Sequence, residues 1–144
     1  MNRVSILGVQ FDAVTQSEAV TRAMARIREG KKGYVVTPNS EIVYMARSDE
    51  HLKKLLNAAA LVLPDGIGVI HAAKILKKPL TEKVAGIEFA TSLMEAMAKE
   101  GRSIFLFGAK PGIAEKAAEN LKQKYPGLIV TGCRDGYFKD DAEA

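Results

Sequence analysis

The chain has 144 residues, 47% of them apolar and 26% charged, which fits one globular domain and excludes a disordered or fibrous polypeptide. Its 21 Lys and Arg against 17 Asp and Glu leave a net charge of +4, which permits an anionic partner without specifying one. No apolar run approaches the ~20 residues of a spanning helix, the N-terminal apolar stretch is too brief for a signal peptide, and the single Cys133 allows no internal disulfide, so a cytoplasmic protein is expected.

The apolar runs 4–7 and 9–11 flank Gly8 and predict a short strand pair or one bulged strand. Thr15 to Glu18 is a capping-box pattern, and Ala19, Val20, Ala23, Met24 and Ile27 follow at helical spacing until Gly30. Tyr34, Val35 and Val36 read as a buried strand that Pro38 ends. Asn39 or Ser40 is placed to cap a helix over 41–46, and Ser48 or Asp49 to start another through Leu52, Leu55 and Leu56. Residues 61–63 are the next strand, closed by Pro64, Asp65 and Gly66. A helix over 67–76 then stops before Pro79. Residues 79–86 are a loop with Thr81, Glu82 and Lys83 at its polar centre. A helix with Phe89, Leu93, Met94 and Met97 on one face runs from it to Gly101. Residues 104–107 are a strongly apolar strand, and 108–112 turn it into a helix over 113–125 that Pro126 and Gly127 break. A last strand at 128–130 leads to Asp135, Gly136, Tyr137 and Phe138. Asp140 and Asp141 then sit where a helix N-terminus favours acidic residues, so a further helix is expected to begin there.

Strands alternate with helices, and the strands are continuous apolar runs. That predicts a single α/β domain over 1–144: a Rossmann-like, mostly parallel sheet with helices on both faces. Ligands of such sheets bind beyond the carboxyl ends of the strands. Four loops hold that position by connectivity: 37–39, 64–68, 108–112 and 135–138.

Gly108, Ala109, Lys110, Pro111 and Gly112 resemble a phosphate cradle, because glycines let the backbone approach and the next helix offers free N–H groups. The loop is not a Walker A motif, and a plain strand-to-helix turn explains it equally well. Gly66 and Gly68 begin a dinucleotide fingerprint that His71 breaks, so a dehydrogenase is not supported. His71 lies in a helical apolar pattern and His51 is expected at the surface. With one cysteine besides, no metal site is readable. Asp65 follows a buried strand and precedes two spaced glycines. It suits a general base acting on a hydroxyl, or a helix N-cap. Thr37 and Asn39 suit orientation of a sugar or diphosphate, or capping again. With four Tyr and five Phe mostly in strand or helix positions, no stacking platform for nucleic acid is evident, and no nucleic-acid partner is expected.

Taken together, VTPNSEIVYMAR at 36–47, LVLPDGIGVIHAAKIL at 61–76, EKVAGIEF at 82–89, FLFGAKPGIAEKAAENL at 105–121 and YPGLIVTGCRDGYF at 125–138 resemble the WecG/TagA/CpsF glycosyltransferase family in order and spacing. ILGVQFDAVTQSEAV at 6–20 fits the same pattern, so the resemblance covers nearly the whole chain. It is closest to the TagA branch. The resemblance implies transfer of N-acetylmannosamine from a UDP donor to undecaprenyl-diphosphate-linked N-acetylglucosamine at the inner membrane face, as in wall teichoic acid synthesis. It implies inversion at the anomeric carbon, no metal or other cofactor, and self-association. The alternatives are a related donor sugar (N-acetylmannosaminuronic acid or glucose) or a non-catalytic UDP-sugar-binding module. By the same resemblance Asp65 is the general base, and Thr37 and Asn39 line the reacting pocket. Gly66, Lys83, Gly108, Ala109, Lys110, Gly112, Asp135, Gly136 and Tyr137 bind substrate. The family often carries Arg where Lys83 stands, and Lys lacks the bidentate fork. Family members also continue after the GYF stretch, through a G-S-P-K-Q-E-K-type segment and a basic C-terminal region. Further diphosphate-binding residues and membrane contact are expected there.

Overall fold

Two left-handed residues in a row, Leu7 at φ 50° and Gly8 at φ 92°, begin the fold in the computed structural model, which describes residues 2–80 and 82–139. They turn β1 (Arg3–Ile6) back onto β2 (Val9–Asp12) as an antiparallel hairpin. Consecutive positive φ values match the right-handed twist of paired strands, which is why so tight a turn is stable. The side chain of Asn57 secures the hairpin: its Oδ1 accepts from the Gln10 N–H at 2.8 Å, and its Nδ2 donates to the Gly8 carbonyl at 2.9 Å. The expected N-terminal strand pair is therefore present.

The chain divides into two units between Ser92 and Leu93. The first holds the hairpin, α1 (Gln16–Arg28), β3 (Val35–Val36), α2 (Ser40–Met45), α3 (Glu50–Ala58), β4 (Leu61–Val62), α4 (Ile67–Ile75) and the start of α5 (Gly86–Lys99). The capping box of α1 forms as expected: Thr15 Oγ1 accepts from the Glu18 N–H, and Glu18 Oε2 from the Thr15 N–H. Strands β3 and β4 pair in parallel, Val35 with Leu61 and Val36 with Val62. The core runs from the hairpin (Val4, Ile6, Val9, Phe11) through Val43, Leu56 and Val62 to Val69 and Leu80.

The strand pattern gave Asp12 no role, yet it is fully buried. Its Oδ2 accepts from the Val62 N–H of β4 at 2.9 Å. Its Oδ1 faces Arg3 Nε at 3.4 Å and Arg22 Nη1 at 3.6 Å. Arg3 in turn donates to the carbonyls of Asn57 and Ala59 at 2.9 and 2.8 Å. One carboxylate thus ties the hairpin, α1 and β4 together, and its two cationic neighbours offset the cost of burying it.

The second unit holds the rest of α5, then β5 (Ser103–Phe107), α6 (Ile113–Lys124) and β6 (Ile129–Arg134). Strands β5 and β6 are parallel, and α6 packs on them. Strand β6 is longer than the expected 128–130 because it bulges: Ile104 pairs with Val130 and Phe105 with Gly132, leaving Thr131 as the extra residue. The Thr131 hydroxyl donates to the Ile104 carbonyl at 3.0 Å. A Cβ on Gly132 would stand 2.8 Å from the Phe105 ring, so a larger residue there would push the exposed ring aside, and glycine lets it lie across the strand.

Both parallel pairs bear out the α/β expectation, but burial of the sheet on both faces does not hold throughout. Phe105, Phe107 and Ile129 are exposed on one face of the β5–β6 pair. A continuous apolar strand run predicts two covered faces, and here α6 supplies cover without enclosing every side chain. The ladders among the described residues are two-stranded. Thr81 and the helix expected from Asp140 lie outside the described residues.

Candidate functional site

Because β3 and β4 run in parallel, the loops that leave their carboxyl ends emerge side by side. The Leu63 N–H donates to the Val36 carbonyl at 2.9 Å and extends the pairing to the start of both loops. Pro38 and Pro64 are buried and brace the loops from beneath. A third segment joins them: the Val84 N–H donates to the Pro64 carbonyl at 3.0 Å, and the Gly86 N–H to Asp65 Oδ2 at 3.1 Å.

These bonds decide between the two readings of Asp65. It does not cap α4, whose N-cap is Gly66 at φ 98° with no side-chain cap. Its carboxylate instead reaches across to the start of α5. Its other oxygen, Oδ1, takes no hydrogen bond among the described residues, and the residue is partly exposed. Thr37 lies on the same spot: a Cβ on Gly86 would sit 2.9 Å from Thr37 Cγ2, 3.3 Å from Thr37 Oγ1 and 3.4 Å from Asp65 Oδ2. The Gly86 backbone therefore occupies the gap between Thr37 and Asp65, and any larger residue there must displace the Thr37 side chain.

Asn39 takes the capping reading. Its Oδ1 accepts from the Ile42 N–H at 3.0 Å and opens α2, which leaves its Nδ2 as the group available to a ligand. Its Cβ is 3.8 Å from where a Gly66 Cβ would be, so it borders the Asp65 loop. Gly68 permits close approach of α4 to α2, since a Cβ there would stand 2.8 Å from Ser40 Oγ. That packing, not a dinucleotide fingerprint, accounts for the glycine. Lys83 is exposed, next to the anchored Val84, and makes no hydrogen bond or ion pair to Thr37, Asn39 or Asp65.

The remaining expected residues form their own cluster in the second unit. The Gly108 N–H donates to the Arg134 carbonyl and the Gly136 N–H to the Ala109 carbonyl, both at 2.9 Å, so the turns after β5 and β6 are bonded to each other. Gly108 at φ 124°, Ala109 at 63° and Gly112 at 88° trace a left-handed path into α6, which Gly112 caps without a side-chain bond. The Ile113 N–H donates to the Lys110 carbonyl at 3.1 Å, while the next N–H groups of α6, those of Ala114 and Glu115, have no backbone partner among the described residues and face the open turn, as an anion site requires. Lys110 is exposed beside them. Asp135 Oδ1 accepts from the Tyr137 N–H at 2.8 Å and holds the second turn, while Tyr137 is exposed.

Sequence reasoning missed Gly86 as the partner of Asp65. The available signal was a glycine opening a helix straight after the apolar pair Val84 and Ala85, a sign of close backbone approach. Among the described residues, no group of three or more His, Cys, Asp or Glu is placed to hold a metal ion, and no helix is long and apolar enough to cross a membrane.

Residues 4–144 match the family model described as the glycosyl transferase WecG/TagA/CpsF family. The N-acetylglucosaminyldiphosphoundecaprenol N-acetyl-beta-D-mannosaminyltransferase of Bacillus spizizenii is 34% identical over 115 residues, 80% of this chain and 45% of the relative. The protein of the same name from Staphylococcus aureus is 32% identical over 128 residues, 88% of this chain and 50% of the relative. The chain spans about half the length of the curated relatives it matches.

Proposed function

The chain belongs to the WecG/TagA/CpsF glycosyltransferase family, and on that premise we propose that it transfers N-acetylmannosamine from UDP to undecaprenyl-diphosphate-linked N-acetylglucosamine, with inversion. The acceptor follows the names of the relatives, and the product would enter wall teichoic acid linkage-unit synthesis. The observation that carries the reading is the Asp65 carboxylate, held by the Gly86 N–H beside Thr37 with Oδ1 left unbonded.

In the proposed step Asp65 Oδ1 takes the proton of the acceptor hydroxyl. The freed oxygen pair forms the new bond to the anomeric carbon, and the bond from that carbon to UDP breaks with its electrons leaving on the diphosphate. One base on one face and one leaving group on the other give inversion. Thr37 and the Asn39 amide orient the sugars, and Gly66 keeps the backbone open beside them. The Ala114 and Glu115 N–H groups at the start of α6, the Gly108–Gly112 turn and Lys110 suit the diphosphate, and Asp135, Gly136 and Tyr137 the uridine. Lys83 is exposed and is assigned to substrate binding through its charge. The mechanism assigns leaving-group stabilisation to these protein groups and calls on no metal. Self-association and a peripheral position at the inner membrane face belong to the same proposal.

The test is UDP release by the protein at the length its own cell makes it, with UDP-N-acetylmannosamine and a lipid-diphosphate-linked N-acetylglucosamine. Release that needs both substrates is expected, and Asp65→Asn should lower turnover roughly a hundredfold to ten-thousandfold with the fold intact. Near-normal turnover of that variant would remove Asp65 from the chemistry. Binding of UDP without consumption of any donor, the uronic acid included, would leave a binding module.

A further inference from the structure

Helix α4 differs from every other helix among the described residues: it contains no carboxylate. From Gly66 to Leu80 the chain has no Asp or Glu, but it has Lys74, Lys77, Lys78 and His71, all exposed. Among the described residues none of the three lysines is in an ion pair. The same helix exposes large aliphatic groups. Ile67 is 59% exposed, Ile75 80% and Leu76 44%. Ile67, His71 and Ile75 recur every four residues and so share one face, with Lys74 beside them.

The end of α4 sharpens the point. The Lys78 N–H donates to the Ala73 carbonyl and the Lys77 N–H to the Lys74 carbonyl, which is a Schellman ending. Its left-handed position, φ 52°, is held by Lys77, where glycine would carry no steric penalty. A cation kept at a strained position beside two exposed aliphatics points to a role for the charge.

We propose that this face of α4 rests on an anionic lipid surface. Ile67, Ile75 and Leu76 would enter the headgroup–acyl boundary, while Lys74, Lys77 and Lys78 extend to the headgroup phosphates. Exposed aliphatics beside lysines in no ion pair, on a stretch from Gly66 to Leu80 that carries no carboxylate, match that partner. They fit a second copy poorly, because two such faces would bring like charges together. A helix of nine residues, with Lys74 in it and Lys77 and Lys78 just past its end, gives weak, reversible attachment. Its first turn follows Gly66, so attachment holds the Asp65 loop at the lipid surface. The inference stands on α4 itself and does not require the transfer reaction.

The experiment is co-sedimentation of the chain with vesicles of phosphatidylcholine alone, and of equal parts phosphatidylcholine and phosphatidylglycerol. Binding to the mixed vesicles that weakens with added salt is expected, with little to the neutral ones. Replacing Lys74, Lys77 and Lys78 by Gln should weaken it on the order of a hundredfold, about fivefold per lysine. Ile75→Ser should weaken it without changing the salt dependence. Lys77→Gly relieves the left-handed residue, so it should melt no lower than the parent and still bind less tightly. Absence of binding to the mixed vesicles, or equal binding by the lysine variants, would overturn the proposal. So would a dimer in vesicle-free solution that Ile75→Ser dissolves, since the occupant would then be a second copy.

Discussion

The two units carry candidate residues in opposite ways. In the first, the residues stand on a deep core. Asp12 joins three elements, Pro38 and Pro64 are buried beneath the loops, and the Gly86 backbone wedges between Thr37 and Asp65. In the second, the buried apolar residues among those described are Met97, Ala114, Ala118 and Leu128. The glycine turns there are tied mainly to each other by backbone bonds, with exposed aromatics nearby. The contrast fits the chemistry proposed for each. A base must be held within hydrogen-bond reach of one hydroxyl, whereas a diphosphate is gripped by several backbone N–H groups acting together.

The largest effects should come from breaking the first region. Asp12→Ala leaves Arg3 and Arg22 without their shared anion and the Val62 N–H without an acceptor. Removing one partner of a buried pair costs about 3–5 kcal/mol. Urea denaturation should show that loss, and a change below about 1 kcal/mol would mean that Asp12 merely fills space. Phe11→Ala, at a fully buried ring, should also cost about 3–5 kcal/mol through the cavity it leaves.

The same contrast governs what the sequence made legible. The parallel pairs, the N-terminal hairpin and the capping box follow from local signals: apolar runs, Gly8, and Thr15 with Glu18 three residues later. The loop positions of Thr37, Asn39 and Asp65 followed from connectivity. Their bonding did not. Asp65 could cap α4 or reach elsewhere, and a contact 21 residues away decided it. Asp12 was illegible for the same reason: an acidic residue ending a short strand looks like a turn until β4 is placed against it. The open face of β5 was hidden by its composition, since Phe105 and Phe107 read as core whether or not anything covers them.

An intermediate effect should come from Gly86→Ala, which tests whether the site is as closely built as its distances indicate. The new methyl would stand 2.9 Å from Thr37 Cγ2 and 3.4 Å from Asp65 Oδ2, so Thr37 must move or the loop must lift. Overpacking of this kind costs about 1–3 kcal/mol. Turnover should fall further than stability does, because the displaced groups are the ones proposed to act. A variant with parent-like turnover and a lowered melting point would show that the position of Thr37 does not matter to the reaction.

The smallest effect should come from Phe107→Ala, the same deletion as Phe11→Ala made in the second region. The Phe107 ring is 55% exposed and packs on Phe138 at 5.7 Å between centroids, tilted by 31°. With more than half its surface already in water, little is lost beyond the aromatic pair, about 0.5–1 kcal/mol. Urea denaturation of the two variants side by side measures the difference between the regions directly, since the side-chain atoms removed are identical. A cost for Phe107→Ala that equals the cost for Phe11→Ala would mean the β5–β6 face is covered in solution, for example by association with another surface. In that event the sedimentation coefficient of the parent should exceed that of a monomer, and that of the variant should fall to the monomer value.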